Sequence, residues 1–454
     1  MLEALKRYLK SINDNDKIVF VNSSVSILIQ VISMIMGIVI VPLYLSYFCD
    51  SEILGMWYSI LSVLNWILDF DLGIGNGLKN YLTTAISKNQ NSDVKKYISS
   101  AYFSFGIISI VVLIISLILV SVADLNSIFN ISSKIISASV LKSTLTIVLV
   151  SVVLQILLKL ITSIVCALQK NAINQMVNLI TNAALLLFLL VFSTGSDSKN
   201  LLALAICRGV SVVVPLAVLS VVVFKKYLNF AKPSIKAIEW QYVKRVITLG
   251  GIFFIIQLLY VFIMGTNEML ITHFAGNEHN VEYQVYYKIF GMVNIVFAWV
   301  SVSLWSVVTK AKAQQNYQWL KKGYKKYLLF SLLFCLGELL LVFIAKPLVY
   351  IWLGDVTMVE INIVNSLWFS LCGCLGVLGN TLSAFAMGLE KMKTQTICYI
   401  IGAVAKIPLS KFFVEITGSW IGVVIATCIC LGVYCVVQFI VFQRYFKSKN
   451  FKQA

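Results

Sequence analysis

Charge is scarce in this chain. Only 12% of its 454 residues are Asp, Glu, Lys or Arg, against roughly 25% in an ordinary soluble domain. Histidine is nearly missing, with only His273 and His279. The ten cysteines contain no C-x-x-C pair, so neither a zinc nor an iron–sulfur spacing is present. Nine of them fall within or beside apolar runs and read as small apolar helix residues. No G-x-S-x-G, H-E-x-x-H or Walker A sequence occurs, so the usual hydrolase, zinc-protease and direct ATP-driven signatures are excluded. Long polar loops are also lacking, which leaves no room for a nucleotide-binding or extramembrane catalytic domain. These absences predict a protein that is not an enzyme and carries no cofactor.

What is present is apolar. Hydrophobic residues make up 59% of the chain, and apolar runs of about 20 residues or more recur along it, the length needed to span a bilayer. The expected fold class is an all-α polytopic membrane protein, with twelve spans in two parallel six-helix bundles around a central cavity. No cleavable signal peptide is expected, because the first apolar run, from about 18 to 48, is too long for an h-region. Ahead of it, residues 1–17 form a basic amphipathic segment, with Leu2, Leu5, Leu9 and Ile12 among Lys6, Arg7 and Lys10.

The formal net charge of +17 would suggest nucleic acid in a soluble protein. Here lysine and arginine sort into alternate loops, including Lys79, Lys88, Lys95 and Lys96, then Lys170, then Lys391 and Lys393. Acidic residues such as Asp124, Asp197 and Glu282 fall in the opposite loops. The positive-inside rule then places both termini in the cytoplasm and removes nucleic acid as a partner. The chain also repeats. Residues 164–170 recur as 385–391, offset by 221, and an offset near 229 places Tyr58 on Tyr287. The expected organisation is a first six-helix bundle at 18–223, a basic cytoplasmic linker at 224–245, a second bundle at 246–443 and a basic tail at 444–454. Six spans per half give parallel repeats, a recurrent transporter architecture.

One stretch, 66–80, does not suit a membrane helix. It holds Asp69, Asp71, Gly73, Gly75, Asn76, Gly77, Lys79 and Asn80. At 100° per residue Asp69, Gly73, Asn76 and Asn80 share a face, while Asp71 points away. The first span carries a second polar stripe through Asn22, Ser26, Gln30, Ser33 and Tyr44. Such stripes line a wet cavity or form helix-packing seams. The three glycines offer either a close-approach face or a bend, and Pro42 is a candidate kink. Other charges at membrane depth are Lys159, Arg208, Glu268, Lys288, Glu338 and Lys406. Lys159 is close enough to the inner surface to snorkel, and Glu268 is near the interface. Arg208, Lys288 and Lys406 lie deeper and should face protein or water, where fixed positive charge attracts anions.

The second-span sequence Asp71-Leu72-Gly73-Ile74-Gly75-Asn76-Gly77-Leu78-Lys79-Asn80 resembles the motif of bacterial lipid-linked oligosaccharide flippases. These are the Wzx-type polysaccharide transporters of the multidrug/oligosaccharidyl-lipid/polysaccharide exporter superfamily. Span number, two halves and a basic inner face are similar over nearly the whole chain. The resemblance implies transfer of an undecaprenyl-diphosphate-linked oligosaccharide between leaflets of the bacterial cytoplasmic membrane. It implies alternating access coupled to a proton or sodium gradient, in O-antigen or capsule synthesis. Membrane lipid, a polysaccharide polymerase and chain-length machinery are the candidate partners. The depth argument assigns Arg208, Lys288 and Lys406 to an anionic headgroup, and Asp69, Asn76, Asn80, Gln30 and Glu338 to cavity lining or ion coupling. Two rivals remain: a multidrug/cation antiporter of the same superfamily, and a membrane-embedded polysaccharide polymerase or glycosyltransferase.

Overall fold

The computed structural model describes residues 14–48, 53–54, 56–57, 60–61, 73–128, 131–133, 135–192, 196–276, 279–353 and 361–448. Among these the regular structure is helical, with no strand. The first half contains α1 (Asp14–Tyr47), α2 (Ile74–Ser87), α3 (Asn91–Val122), α4 (Ala138–Ala167), α5 (Ala172–Val191) and α6 (Asp197–Lys226). Then follow α7 (Trp240–Gly265), the short α8 (Asn267–Phe274), α9 (His279–Ala313), α10 (Tyr317–Leu353), α11 (Ile363–Gly388), α12 (Lys393–Thr417) and α13 (Ile421–Lys447). Eleven helices of the described residues are long and apolar enough to cross a membrane. The expected second span, 53–80, has its middle, 62–72, outside the described residues.

The helices are organised for lipid rather than water. On α3, Ile107, Ile110, Ile114 and Ile118 are all exposed, at helical spacing along one ridge. Leu329, Leu333, Leu336, Leu340 and Phe343 form a similar ridge on α10. Exposed apolar faces of this length mark a surface solvated by acyl chains. The start of α3 carries Ser99, Ser100, Ala101 and Ser104, all buried. Small residues there let neighbouring helices approach, since packing replaces the hydrophobic effect inside a bilayer.

Contacts divide the chain into two compact units. The first is Val21–Phe254; the second runs from Ile255 onward and takes in the start of α1, up to Phe20. The first unit is built on two apolar clusters, one around Trp57, Leu141 and Leu204 and one around Leu78, Ile98 and Ile164. In the second unit Tyr283, Tyr286, Phe290, Phe369 and Trp420 pack as an aromatic cluster, with the Tyr286 and Phe369 rings stacked at 5.1 Å. The start of α1 is tied into this unit by Asp16, whose carboxylate meets Lys326 at 2.8 Å.

The repeat in the sequence is also a repeat of structure. Asn89, Gln169, Gln315 and Glu390 are the described non-glycine residues with positive φ, between 54° and 62°. Each closes a helix with the same Schellman pair of hydrogen bonds. Gln169 N–H donates to Cys166 O and Lys170 N–H to Val165 O, both at 3.0 Å. Glu390 N–H donates to Met387 O at 3.2 Å and Lys391 N–H to Ala386 O at 2.8 Å. The parallel continues in the next side chain: Lys170 lies over the Tyr227 ring at 4.3 Å, and Lys391 over the Tyr445 ring at 4.2 Å. Lysines flank the other two turns as well, Lys88 beside Asn89 and Lys312 near Gln315.

The basic connector is fastened to the first unit. After α6, two single turns of 3-10 helix, Asn229–Ala231 and Ile235–Ala237, lie against α3. Ser234 N–H donates to Ser99 Oγ at 3.1 Å, and Lys96 pairs with Glu239 at 2.8 Å. The unit boundary therefore falls inside α7, after Phe254.

Candidate functional site

The glycine motif begins α2. Gly73 caps the helix in the left-handed region, φ 66°, where a side chain is disfavoured. A Cβ built on Gly77 would stand 2.8 Å from Val246 O and 2.9 Å from Gly250 N. One built on Gly250 would stand 2.8 Å from Ile74 Cα. The motif is thus a backbone-to-backbone crossing of α2 and α7 inside the first unit, with Gly75 also buried. Asp69 and Asp71 lie outside the described residues. Pro42 falls within α1.

Beyond the glycines α2 is more polar than its burial would suggest. Asn76 is half-buried, and Asn80 is fully enclosed. Lys79, expected in a cytoplasmic loop, is only 3% exposed. The expectation fails because the helix does not stop at Asn80. It continues to Ser87, which carries Lys79 two turns inside the element. Thr83 Oγ1 donates to Lys79 O at 2.7 Å and Thr84 Oγ1 to Asn80 O at 3.0 Å, so the threonines cap their own helix rather than the buried polar groups.

The α1 stripe packs within the same unit. Asn182 Nδ2 donates to Ser33 Oγ at 2.7 Å, and Asn22 Nδ2 donates to Gln169 O at 2.9 Å. Ser26 and Tyr44 are buried. Gln30 is half-buried, with its Oε1 unmatched among the described residues. The seam reading accounts for Asn22 and Ser33, and Gln30 is the member of the stripe with hydrogen-bonding capacity to spare.

The three deep cations occupy different settings. Arg208, on α6 of the first unit, is half-exposed, and Lys288, on α9 of the second, is exposed. Lys406, on α12 of the second unit, is completely buried. Its Nζ donates to Val423 O at 2.9 Å and to Thr427 Oγ1. Thr427 is also within 3.0 Å of Asn267 Oδ1, and Asn267 Nδ2 donates to Tyr283 Oη at 3.1 Å. A continuous polar chain thus links α12, α13, α8 and α9 around one enclosed ammonium. Glu338, on α10 of the same unit, is fully buried too, and neither carboxylate oxygen has a hydrogen bond among the described residues. Asn267, Thr427, Asn294 and Asn380 were not singled out in the sequence, since an isolated amide or hydroxyl in an apolar run gives no signal of its neighbours.

The family model described as polysaccharide biosynthesis protein matches residues 19–305. A Salmonella typhimurium protein assigned as an O-antigen transporter is 23% identical over 367 residues, covering 79% of this chain and 80% of its own. A Yersinia pseudotuberculosis protein assigned to O-antigen export is 24% identical over 144 residues, covering 32% of this chain and 33% of its own. Among solved structures, a multidrug resistance MATE family transporter of the MOP superfamily, in an outward-facing conformation, matches with TM-score 0.77 at 14% identity, covering 97% of this chain and 98% of its own. A MOP superfamily transporter from Pyrococcus furiosus matches with TM-score 0.78 at 14% identity, covering 96% and 98%. The structural matches establish a shared fold.

Proposed function

Because the chain belongs to the polysaccharide biosynthesis protein family, we propose that it is a flippase for a polyprenyl-diphosphate-linked oligosaccharide. On this reading it carries the lipid-linked unit from the inner to the outer leaflet of the bacterial cytoplasmic membrane, with both termini inside. The observation that carries the reading is the family match, joined by a relative assigned to O-antigen transport that aligns along most of both chains. The fold is one that transporters use. A diphosphate–sugar headgroup is anionic and strongly hydrated, so its path needs polar groups and fixed cations, while the polyprenyl tail stays in lipid. Arg208, Lys288 and Lys406 are the cations proposed for it, Lys406 only in a state that opens the polar chain enclosing it. Alternating access would be coupled to an ion gradient, with Asp69, Asn76, Asn80, Gln30 and Glu338 as the proposed cavity or coupling groups. A polysaccharide polymerase and chain-length machinery would take over the flipped unit.

The test is a strain lacking the protein, complemented with Arg208→Gln, Lys288→Gln or Lys406→Met at matched expression. The proposal expects lipid-linked oligosaccharide to accumulate on the inner leaflet and surface polysaccharide to fall. Single units accumulating on the outer leaflet would instead favour a polymerase. Export of cationic dyes by vesicles, with oligosaccharide untouched, would favour the multidrug antiporter.

A further inference from the structure

We propose that Glu338 is a proton-binding site of the second unit, set beside a polar face of α11. Glu338 is 0% exposed, and neither carboxylate oxygen has a hydrogen-bond partner among the described residues. An ionised carboxylate left so in an apolar interior is costly, whereas a carboxyl that can take up a proton is tolerated. The site is shaped for the side chain. Gly373 on α11 stands where any larger residue would collide with it, since a Cβ built there would lie 2.7 Å from Glu338 Oε2.

The same helix face continues away from the acid. At Gly376 the amide of Asn294, from α9, fills the space a side chain would take, its Oδ1 3.2 Å from the built Cβ. Asn380 Nδ2 donates to that Oδ1 at 2.7 Å. Ser383 Oγ accepts from Gln395 Nε2 at 2.9 Å, and Gln395 Oε1 is itself buried and unmatched. Positions 373, 376, 380 and 383 recur at three- and four-residue intervals, so they share one side of α11. This polar row runs from Glu338, near mid-helix, toward the lysine-rich end at Gly388 and Lys391. Amides and hydroxyls along a helix seam offer hydrogen bonds to water, which bare apolar faces do not.

Among the described residues the titratable groups facing Glu338 are thiols. They are Cys335 on its own helix and Cys372 and Cys374 on α11. Cys335 Sγ–H donates to Cys374 O at 3.7 Å and Cys374 Sγ–H to Cys335 O at 3.6 Å, so these two are turned to each other's backbones. From α9 the neutral amide of Asn294 meets Gly376, three residues along α11 from Gly373. Hard metal cations require several oxygen ligands. A proton requires only the carboxylate, and the described residues set thiols and Gly373 beside it. The exchange step is an acid–base equilibrium: the carboxyl releases its proton to water and takes one back.

Proton binding stands on its own; its use in transport rests on the flippase reading. The experiment is infrared difference spectroscopy of the full-length protein in liposomes, stepped in pH without sodium. A protonated-carboxyl band is expected, which disappears in Glu338→Gln and shifts in Gly373→Ala. Deuterium exchange into the band should be slower in Asn380→Leu. Should Glu338→Gln fail to fold, the shift in Gly373→Ala carries the assignment. A band unchanged in Glu338→Gln and Gly373→Ala, or one that responds to sodium at constant pH, overturns the proposal. With lipid-linked oligosaccharide loaded, loss of pH-gradient-driven translocation in Glu338→Gln supports coupling at this site. Undiminished gradient dependence in that variant sinks the coupling role and leaves the flippase reading intact. A Glu338 band with no translocation by wild-type protein does the reverse.

Discussion

Gly77 of α2 and Gly250 of α7 meet backbone to backbone, with the Gly250 nitrogen 2.9 Å from where a Gly77 Cβ would stand. The neighbouring atoms are main chain, so they cannot rotate aside. Gly77→Ala and Gly250→Ala should each lower stability by about 1–3 kcal/mol, the usual range for overpacking. Thermal melts in detergent would read this. Unchanged melting in both variants would mean that the helices do not cross this closely.

Lys406 and Thr427 should respond asymmetrically. Thr427→Val removes one of the ammonium's two protein partners and leaves a buried charge undersatisfied. A loss of about 1–3 kcal/mol is expected. Lys406→Met removes the charge together with its need for partners, so its melting should stay closer to wild type. The double variant should be more stable than the sum of the two losses predicts, which a double-mutant cycle measures.

The helix-ending turns offer a gain. Gln315 adopts φ 54°, which a side chain disfavours, so Gln315→Gly should stabilise by about 1 kcal/mol. Glu390→Gly should gain less, because Glu390 also meets Lys312 at 3.0 Å. Asn89→Gly should gain least, since asparagine tolerates the left-handed region. Equal gains at all three would argue against these side-chain differences, and no gain at any would argue against the shared geometry.

The α3–α7 contact is expected to depend on one phenol. Tyr242 Oη donates to Asp93 Oδ1 at 2.6 Å, and its ring meets Tyr97 edge-on at 4.7 Å. Tyr242→Phe keeps the ring and loses the hydrogen bond, lowering stability by about 1–2 kcal/mol. The nearby Glu239 carboxyl is held below its usual range, first by the hydrogen bond from Lys96 and then by Gln241. Its folded value lies below its unfolded one, so its contribution is present above the ordinary glutamate range and fades as pH falls through the lowered value. The pair is exposed, so Lys96→Ala should change melting little and mainly at low salt.

Much of the fold was legible because lipid exposure imposes a simple pattern. Long apolar runs, lysines at alternate ends and the recurrence of 164–170 at 385–391 all reflect constraints local to a helix and its turn. The site was less legible because burial depends on partners distant in sequence. Lys79 looked like a loop cation, and only the continuation of α2 to Ser87 encloses it. Depth placed Lys288 and Lys406 in one class, yet the former is exposed while the latter is sealed against Val423 and Thr427. The glycines at 73 and 77 announced a close approach or a bend, but not that Gly250, 173 residues beyond Gly77, supplies the facing surface. Asn380 meets Asn294 across 86 residues, a pairing no periodicity reveals.

The central claim is best tested by reconstituting the purified protein into liposomes carrying a labelled polyprenyl-diphosphate oligosaccharide in both leaflets. A membrane-impermeant reagent that modifies the glycan is added outside, with and without a pH gradient. The account predicts that wild-type protein brings the inner-leaflet pool within reach of the reagent, faster with the gradient, and that Arg208→Gln protein does so more slowly. If the inner pool stays protected with wild-type protein while empty liposomes behave identically, the protein is not a flippase for this class of lipid.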